Sequence, residues 1–320
     1  MKTALVGDIG GTNARFALWR DQRIEQIRVI PTADHARPEL AILAYLSEVD
    51  QPLKALEAVC LACAGPVGGD LFRFTNNHWQ LSREAFCREL GVKELLLIND
   101  FTAMALGMTR LHDGERITVC DGEPEPGRPR LVIGPGTGLG VAGLLPLSGG
   151  GWRALPGEGG HICLPVGSER EAAIWAHLHR SLGHVNAEAV LSGPGLLTLY
   201  RACCALDGQQ VAFDSPAAIT KAALAGDTYA LAVLEQFCRW LGRIVGDNVL
   251  TLGARGGVYI VGGVVPRFAE MFLRSGFSEA LREKGQMSRY FDRLPVWLVT
   301  APYPGLEGAG VALQPLLEGA

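Results

Sequence analysis

The sequence predicts a mixed α/β protein whose core is built twice. Three observations carry that reading. The chain opens on strand-like runs at 3–9, 14–19 and 24–30, with a glycine turn, Gly10-Gly11-Thr12-Asn13, between the first two. A second meander starts at 130–133, and Gly134-Pro-Gly-Thr-Gly-Leu-Gly140 separates its first two runs. Behind each meander, compact apolar runs of the kind that fill buried strands alternate with helical patterns. A chain of 320 residues is also long for a single core.

After the first meander, a helix is predicted over 37–48, with Leu40, Leu43, Ala44 and Leu46 on its buried side. Buried strands follow at 57–63 and 94–98. Between them lie a short extended piece near 71–74 and a helix over 82–90, with Ser82 as its N-cap. A further helix starts at 101–107. The stretch from Asp121 to Pro129, rich in Pro and Gly, is a surface loop near a domain boundary. The second meander continues at 138–145 and 151–155. Helices are expected at 169–180, 194–206, 215–224 and 227–250, and strands at 258–261 and 296–299. Residue-level similarity between the halves is faint, so the duplication rests on pattern.

Composition narrows the function classes. With 48% apolar and 19% charged residues the chain can bury a large core, and its net charge of −4, without a basic run, argues against a nucleic-acid surface. No signal segment is recognised, and no run of about 18 apolar residues suggests a membrane span; a cytosolic location is the expectation. Most of the eight cysteines lie in apolar segments and read as small buried hydrophobes of a reducing compartment. Cys60 and Cys63 have zinc-like spacing, but strand alternation sends them to opposite faces.

Six constellations are candidates for chemistry. Glycines in the first turn let the backbone approach a ligand, and successive N–H groups there form an anion nest to which Thr12 and Asn13 add hydrogen bonds. Asp8, at the mouth of the first strand, can hold a hydrated Mg²⁺ against phosphate oxygens; an ordinary hairpin is the alternative. The second turn repeats the logic with Gly136, Thr137 and Gly138. Asn99 and Asp100 end a buried strand, where ligands of α/β sheets collect: Asn99 would orient a hydroxyl and Asp100 take its proton, against Asp100 as a helix N-cap. Pro156-Gly-Glu158-Gly-Gly-His161 sets a carboxylate and an imidazole in a loop otherwise bare of side chains, which favours ligand binding over a salt pair. Asn186 and Glu188 open a short helix that Ser192-Gly-Pro-Gly195 ends, so helix electrostatics alone account for both. Gly262 and Gly263, after the strand at 258–261, make either a flat slot for a purine or a plain turn.

Together these motifs resemble the bacterial glucokinase family of the actin-like ATPase superfold. The resemblance runs through Asp8-Ile-Gly-Gly-Thr-Asn-Ala-Arg15, Ala64-Gly-Pro-Val-Gly-Gly-Asp70, Thr75-Asn-Asn-His-Trp79 and Leu97-Ile-Asn-Asp-Phe101. It continues through Gly136-Thr-Gly-Leu-Gly140, Pro156-Gly-Glu-Gly-Gly-His161, Leu191-Ser-Gly-Pro-Gly195 and Gly262-Gly-Val-Val-Pro-Arg267, in order, from residue 3 to about 315. It implies a small α/β domain over 1–110, completed by 301–320, and a larger one over 111–300, with sugar and ATP in the cleft between them. Asn99, Asp100, Glu158, His161 and Glu188 would then contact glucose, with Asp100 the base for phosphoryl transfer from Mg-ATP to the 6-hydroxyl. ATP would lie on Gly7, Asp8, Ile9, Gly10, Gly11, Thr12, Asn13, Gly136, Thr137, Gly138, Gly262 and Gly263, with Asp8 supporting Mg²⁺ through water. Cys163 is the only cysteine near His161, which sets the chain apart from the zinc-carrying sugar-kinase branch. Arg255 stands where the family usually has an aromatic residue, a departure that touches the adenine side. A homodimer is expected. A sugar sensor without catalysis and a sugar-independent ATPase are the rival outputs of the same fold.

Overall fold

A computed structural model describes residues 2–65, 67–75 and 77–319; Pro66 and Asn76, within two of the quoted motifs, lie outside the described residues. The chain divides into two compact units. One comprises Met1–Asp113, Trp152–Pro156 and Ala301–Ala320, the other Gly114–Gly151 and Gly157–Thr300.

In the first unit, strands β1 (Thr3–Ile9), β2 (Asn13–Arg20) and β3 (Arg23–Pro31) form the opening meander, followed by helix α1 (Pro38–Glu48) and strand β4 (Leu56–Cys63). A two-stranded ribbon, β5 (Leu71–Arg73) with β6 (Gln80–Ser82), leads into α2 (Arg83–Leu90), β7 (Glu94–Asn99) and α3 (Asp100–Gly107). The sheet order is β3-β2-β1-β4-β7. β1 pairs antiparallel with β2 and parallel with β4, which pairs parallel with β7.

Strand alternation sorts the core onto two faces. Leu5, Ile9, Val59, Leu61 and Cys63 face one side and pack with Phe16, Tyr45, Phe86 and Trp79. Ala4, Val6, Ala17, Ala58 and Cys60 face the other, under helix α10 (Pro304–Glu318). Cys60 and Cys63 thus lie on opposite faces, as alternation predicts. The residues under α10 are small, so the helix sits close. A Cβ on Gly308 would fall 1.6 Å from the Ala103 carbonyl oxygen of α3, and one on Gly310 would fall 2.1 Å from the Trp19 ring.

The second unit contains β8 (Arg116–Cys120), β9 (Arg130–Pro135) and β10 (Leu139–Pro146); β11 (Trp152–Gly157) comes next in the chain. Helices α4 (Glu169–Leu182), α5 (Gly193–Asp207), α6 (Pro216–Leu224) and α7 (Thr228–Leu252) follow. Then come β12 (Val258–Ile260), the short helices α8 (Ala269–Arg274) and α9 (Phe277–Arg282), and β13 (Val296–Val299). β9 pairs antiparallel with β10 and parallel with β12, and β12 pairs parallel with β13. This is the pattern of β2, β1, β4 and β7 repeated. α7 is the central core helix; Phe237, Trp240, Leu241, Ile244 and Val245 are all buried.

Several expectations need correction. The sequence reading has no counterpart for β6, β8, α8 or α9, and α1 buries Ala41, Ile42, Tyr45 and Leu46 where the pattern predicts Leu40, Leu43, Ala44 and Leu46. The loop at 121–129 joins β8 to β9 inside the second unit. Residues 186–192 form a turn, not a helix, and Ser192 begins α5 by accepting from the Gly195 N–H at 2.9 Å instead of ending an element. Among the described residues no single helix is long and apolar enough to cross a membrane. The pair α6 and α7 meets that test only together, across a bend of 112°.

The α3–α10 contact yields a stability prediction. Gly308→Ala should destabilise the protein by about 2–3 kcal/mol, because its methyl group must displace backbone and not a flexible side chain. A urea denaturation curve checks it; an unchanged midpoint would contradict this packing.

Candidate active site

In the first unit the candidate site residues sit where three parallel strands end together. Ile9, Cys63 and Asn99 lie abreast in the register, so the turn after β1 and the pair after β7 share one edge of the sheet. Gly7 has a packing task, since a Cβ there would fall 2.7 Å from Leu61. The Ile9 side chain is buried in the core, so both could reach a phosphate only through their backbone. The turn closes by a hydrogen bond from the Gly10 N–H to the Asn13 carbonyl at 3.0 Å.

Asn99, not Asp100, caps α3. Its Oδ1 accepts from the N–H groups of Phe101 (2.9 Å) and Thr102 (3.1 Å), and Asp100 is the first helical residue. The capping alternative for Asp100 is thereby removed. Its Oδ1 accepts from the Phe101 N–H at 2.8 Å, which fixes the carboxylate at the strand end.

Asp8 and Asp100 are close enough for their charges to interact. Burial, and to a lesser degree the Asp100 charge, push the Asp8 carboxyl above the ordinary aspartate range, while Arg15 at 3.5 Å pulls it down. Asp8 keeps 26% of its side chain exposed, so water relieves part of the penalty. Two like charges beside a glycine turn suit a hydrated Mg²⁺, which needs one or two carboxylates when phosphates supply the remaining ligands. Among the described residues no group of three or more His, Cys, Asp or Glu could hold a metal by itself.

In the second unit, residues 160–164 pair with residues 185–188. The Ala187 N–H donates to the Ile162 carbonyl, the Glu188 N–H to Gly160 and the Leu164 N–H to Val185, each at 2.9–3.0 Å. This ladder brings Glu158, His161 and Glu188 onto adjoining segments. The far end is tied to α7, whose Trp240 indole N–H donates to the Pro165 carbonyl at 2.9 Å. Two glycines of the loop serve packing rather than ligand approach. A Cβ on Gly160 would fall 2.0 Å from the Leu139 carbonyl oxygen, and one on Gly159 would fall 2.9 Å from Val141. Packing against β10 thus accounts for these two glycines without a ligand.

Asn186 has a role that cap statistics concealed. Its Oδ1 accepts from the Ala189 N–H at 2.9 Å, which leaves Nδ2 to donate to His161 Nδ1 at 3.1 Å. In the neutral imidazole the proton then sits on Nε2, which presents a donor.

Glu188 reaches the second glycine turn. Its Oε2 accepts from the Leu139 N–H at 2.7 Å, and a Cβ on Gly138 would fall 2.4 Å from that oxygen. The Gly136 carbonyl accepts from Gly193, the first residue of α5, at 2.7 Å, and Thr137 is exposed at the tip of the turn. Gly262 has φ +88°, and a Cβ there would fall 2.5 Å from the Pro135 carbonyl oxygen. Local packing thus accounts for it, whereas Gly263 has open space around it. Arg255 is tied to Glu125 and to the Tyr290 carbonyl, and lies 5.2 Å from the Tyr290 ring centroid. It staples the loop at 121–129.

A family profile described as "Glucokinase" matches residues 5–316. A glucokinase of Pseudomonas paraeruginosa is 57% identical over 316 residues, covering 98% of this chain and 93% of that one. The crystal structure of a glucokinase from an Antarctic psychrotroph superposes with a TM-score of 0.89 at 36% identity, covering 98% of this chain and 99% of that one. The ROK hexokinase of Thermus thermophilus, at 21% identity, matches in fold with a TM-score of 0.68 over 99% of this chain and 100% of that one. Duplicated sheets with glycine turns at their strand ends place the chain in the actin-like ATPase fold, matching solved sugar kinases. Within that class, the chain belongs to the glucokinase family.

The electrostatics of Asp8 give a prediction with a definite sign. A carboxyl raised in the folded state favours the protonated fold, so its ionisation costs stability once pH exceeds the ordinary value of 3.8. Asp8→Asn should therefore raise the melting temperature at pH 7, with the gain shrinking as pH falls toward 4. Calorimetry at both pH values decides; a lower melting temperature at pH 7 would show that the Arg15 pair outweighs burial.

Proposed function

We infer that the protein phosphorylates glucose with ATP, as a glucokinase, and that the γ-phosphoryl group goes to the 6-hydroxyl. The observation that carries this is the 57% identity to a glucokinase over nearly the whole chain, with every sugar- and phosphate-site motif present in order. In this reading the 6-oxygen forms a bond to the γ-phosphorus, the bond to the bridging oxygen of ADP breaks, and the hydroxyl proton passes to Asp100. Phosphoryl transfer depends mainly on positioning and charge neutralisation, and the residues divide along those lines. Asn99, Glu158, His161 and Glu188 hold the other hydroxyls. The turn after β1 and the turn after β9 hold the phosphates, with Gly263 toward the base. When bound, Mg²⁺ neutralises phosphate charge, and Asp8 would hold it through water.

The capping geometry is compatible with Asp100 as the base: Asn99 takes the N-cap position, and the Phe101 N–H holds Asp100 Oδ1 in place at the strand end. The Asn186–His161 contact supports sugar binding, because it aims a single N–H donor from an otherwise acceptor-rich set. Polar groups matched to each hydroxyl, desolvated once the sugar covers them, reject an epimer, since the wrong sugar leaves one of them unpaired. The two compact units are the counterparts of the small and large domains that the family pattern implies. A homodimer and a cytosolic setting complete the reading; the free state of all eight cysteines supports the latter.

Asp100→Asn keeps size and part of the hydrogen bonding but cannot take the proton. Its turnover should fall about 10²–10⁴-fold, with glucose affinity within about tenfold of the parent. A variant that retains more than half of the parent kcat would remove Asp100 from the role of base.

A further inference from the structure

The N–H groups of the first glycine turn can receive phosphate only if its carbonyls face elsewhere, and two side chains outside the turn see to that. The Gly10 carbonyl accepts from Asn77 Nδ2 at 3.0 Å. The Gly11 carbonyl accepts from the Thr32 hydroxyl at 2.9 Å, and the Thr12 carbonyl accepts from the Thr32 backbone N–H at 2.9 Å and from the same hydroxyl at 3.1 Å. In a trans peptide the carbonyl and the following N–H point in opposite directions, and the chain has no cis peptide among the described residues. Anchoring these three carbonyls therefore turns the N–H of Gly11 away from Asn77 and those of Thr12 and Asn13 away from Thr32. The Gly11 and Thr12 N–H groups have no hydrogen-bond partner among the described residues.

Both anchors are themselves fixed. Thr32 follows the last residue of β3 and is 3% exposed. Asn77 Oδ1 accepts from the Trp79 N–H at 2.8 Å, which settles the amide orientation and commits Nδ2 to Gly10. Trp79 is buried, and its indole N–H donates to the His35 carbonyl at 2.8 Å. The motif at 75–79 thus acquires a task that the sugar and phosphate assignments left open.

We propose that Thr32 and Asn77 are positioning residues for ATP, acting through the turn at 10–13 by holding its carbonyls so that its N–H groups meet the phosphates. The proposal rests on reading that turn as a phosphate site. Loss of one anchoring hydrogen bond lets a peptide flip and removes a donor, an effect of about tenfold in nucleotide affinity.

The test compares Thr32→Val, Thr32→Ser, Asn77→Ala and Gly10→Ala in steady-state kinetics, with calorimetric titration of ADP. Thr32→Val and Asn77→Ala should each raise the KM for ATP and weaken ADP binding about tenfold, with the KM for glucose changed by less than about twofold. Thr32→Ser, which keeps the hydroxyl, should restore parental values. Should Thr32→Val fail to fold, Asn77→Ala, at a half-buried position, carries the same comparison. Parental ATP values in both Thr32→Val and Asn77→Ala, with Gly10→Ala impaired, would overturn the anchoring role and leave the phosphate turn standing. Parental values in all three would overturn the phosphate reading itself. Equal losses for ATP and glucose would reduce the two residues to general structural support.

Discussion

The site depends on the in-register parallel pairing of strands at the centre of each sheet. In the first unit Ile9, Cys63 and Asn99 lie abreast; in the second, Ile133, Ile260 and Leu298 do. Because parallel strands end on the same side, everything that follows them is delivered to one edge. The glycine turn after β1 and the Asn99–Asp100 pair after β7 share one such edge. The turn after β9 and the Gly262–Gly263 pair after β12 share another. A register slip of one residue would turn each strand's core face outward, so the apolar packing that stabilises the sheets also sets the position of the chemistry.

The two halves use one plan and different fastenings. Each glycine turn joins an antiparallel hairpin whose first strand also pairs in parallel with a later one. The first turn is fixed from outside by the side chains of Thr32 and Asn77. The second is fixed by the backbone of Gly193 and by the Glu188 carboxylate. Glu188, proposed for the sugar set, thus also supports the glycine turn after β9, which would tie the two proposed functions together inside the second unit.

The sequence made most of this framework legible, because strand and turn chemistry are local. The opening meander, the buried strands at 57–63 and 296–299, and the Ser82 cap all follow from alternation, apolar runs and capping preferences. What it hid was non-local or ambiguous. Asn186 carries the same cap chemistry whether a helix continues or a single turn stops, and its contact with His161 lies 25 positions away. Gly159 and Gly160 look like ligand-facing glycines until their packing against β10 is known. Strand β8 is a short edge strand with too brief an apolar pattern to stand out. Asp100 and Asn99 are adjacent and both can cap, so only geometry assigns the cap to one of them.

The central claim, that the chain uses ATP to phosphorylate sugar rather than to hydrolyse it, is tested most directly by following ADP formation with and without glucose. The account predicts that ADP appears in equal amount to glucose 6-phosphate when glucose is present, and only in traces when it is withheld. Brisk ADP formation at the same rate in both conditions would contradict it and identify a sugar-independent ATPase.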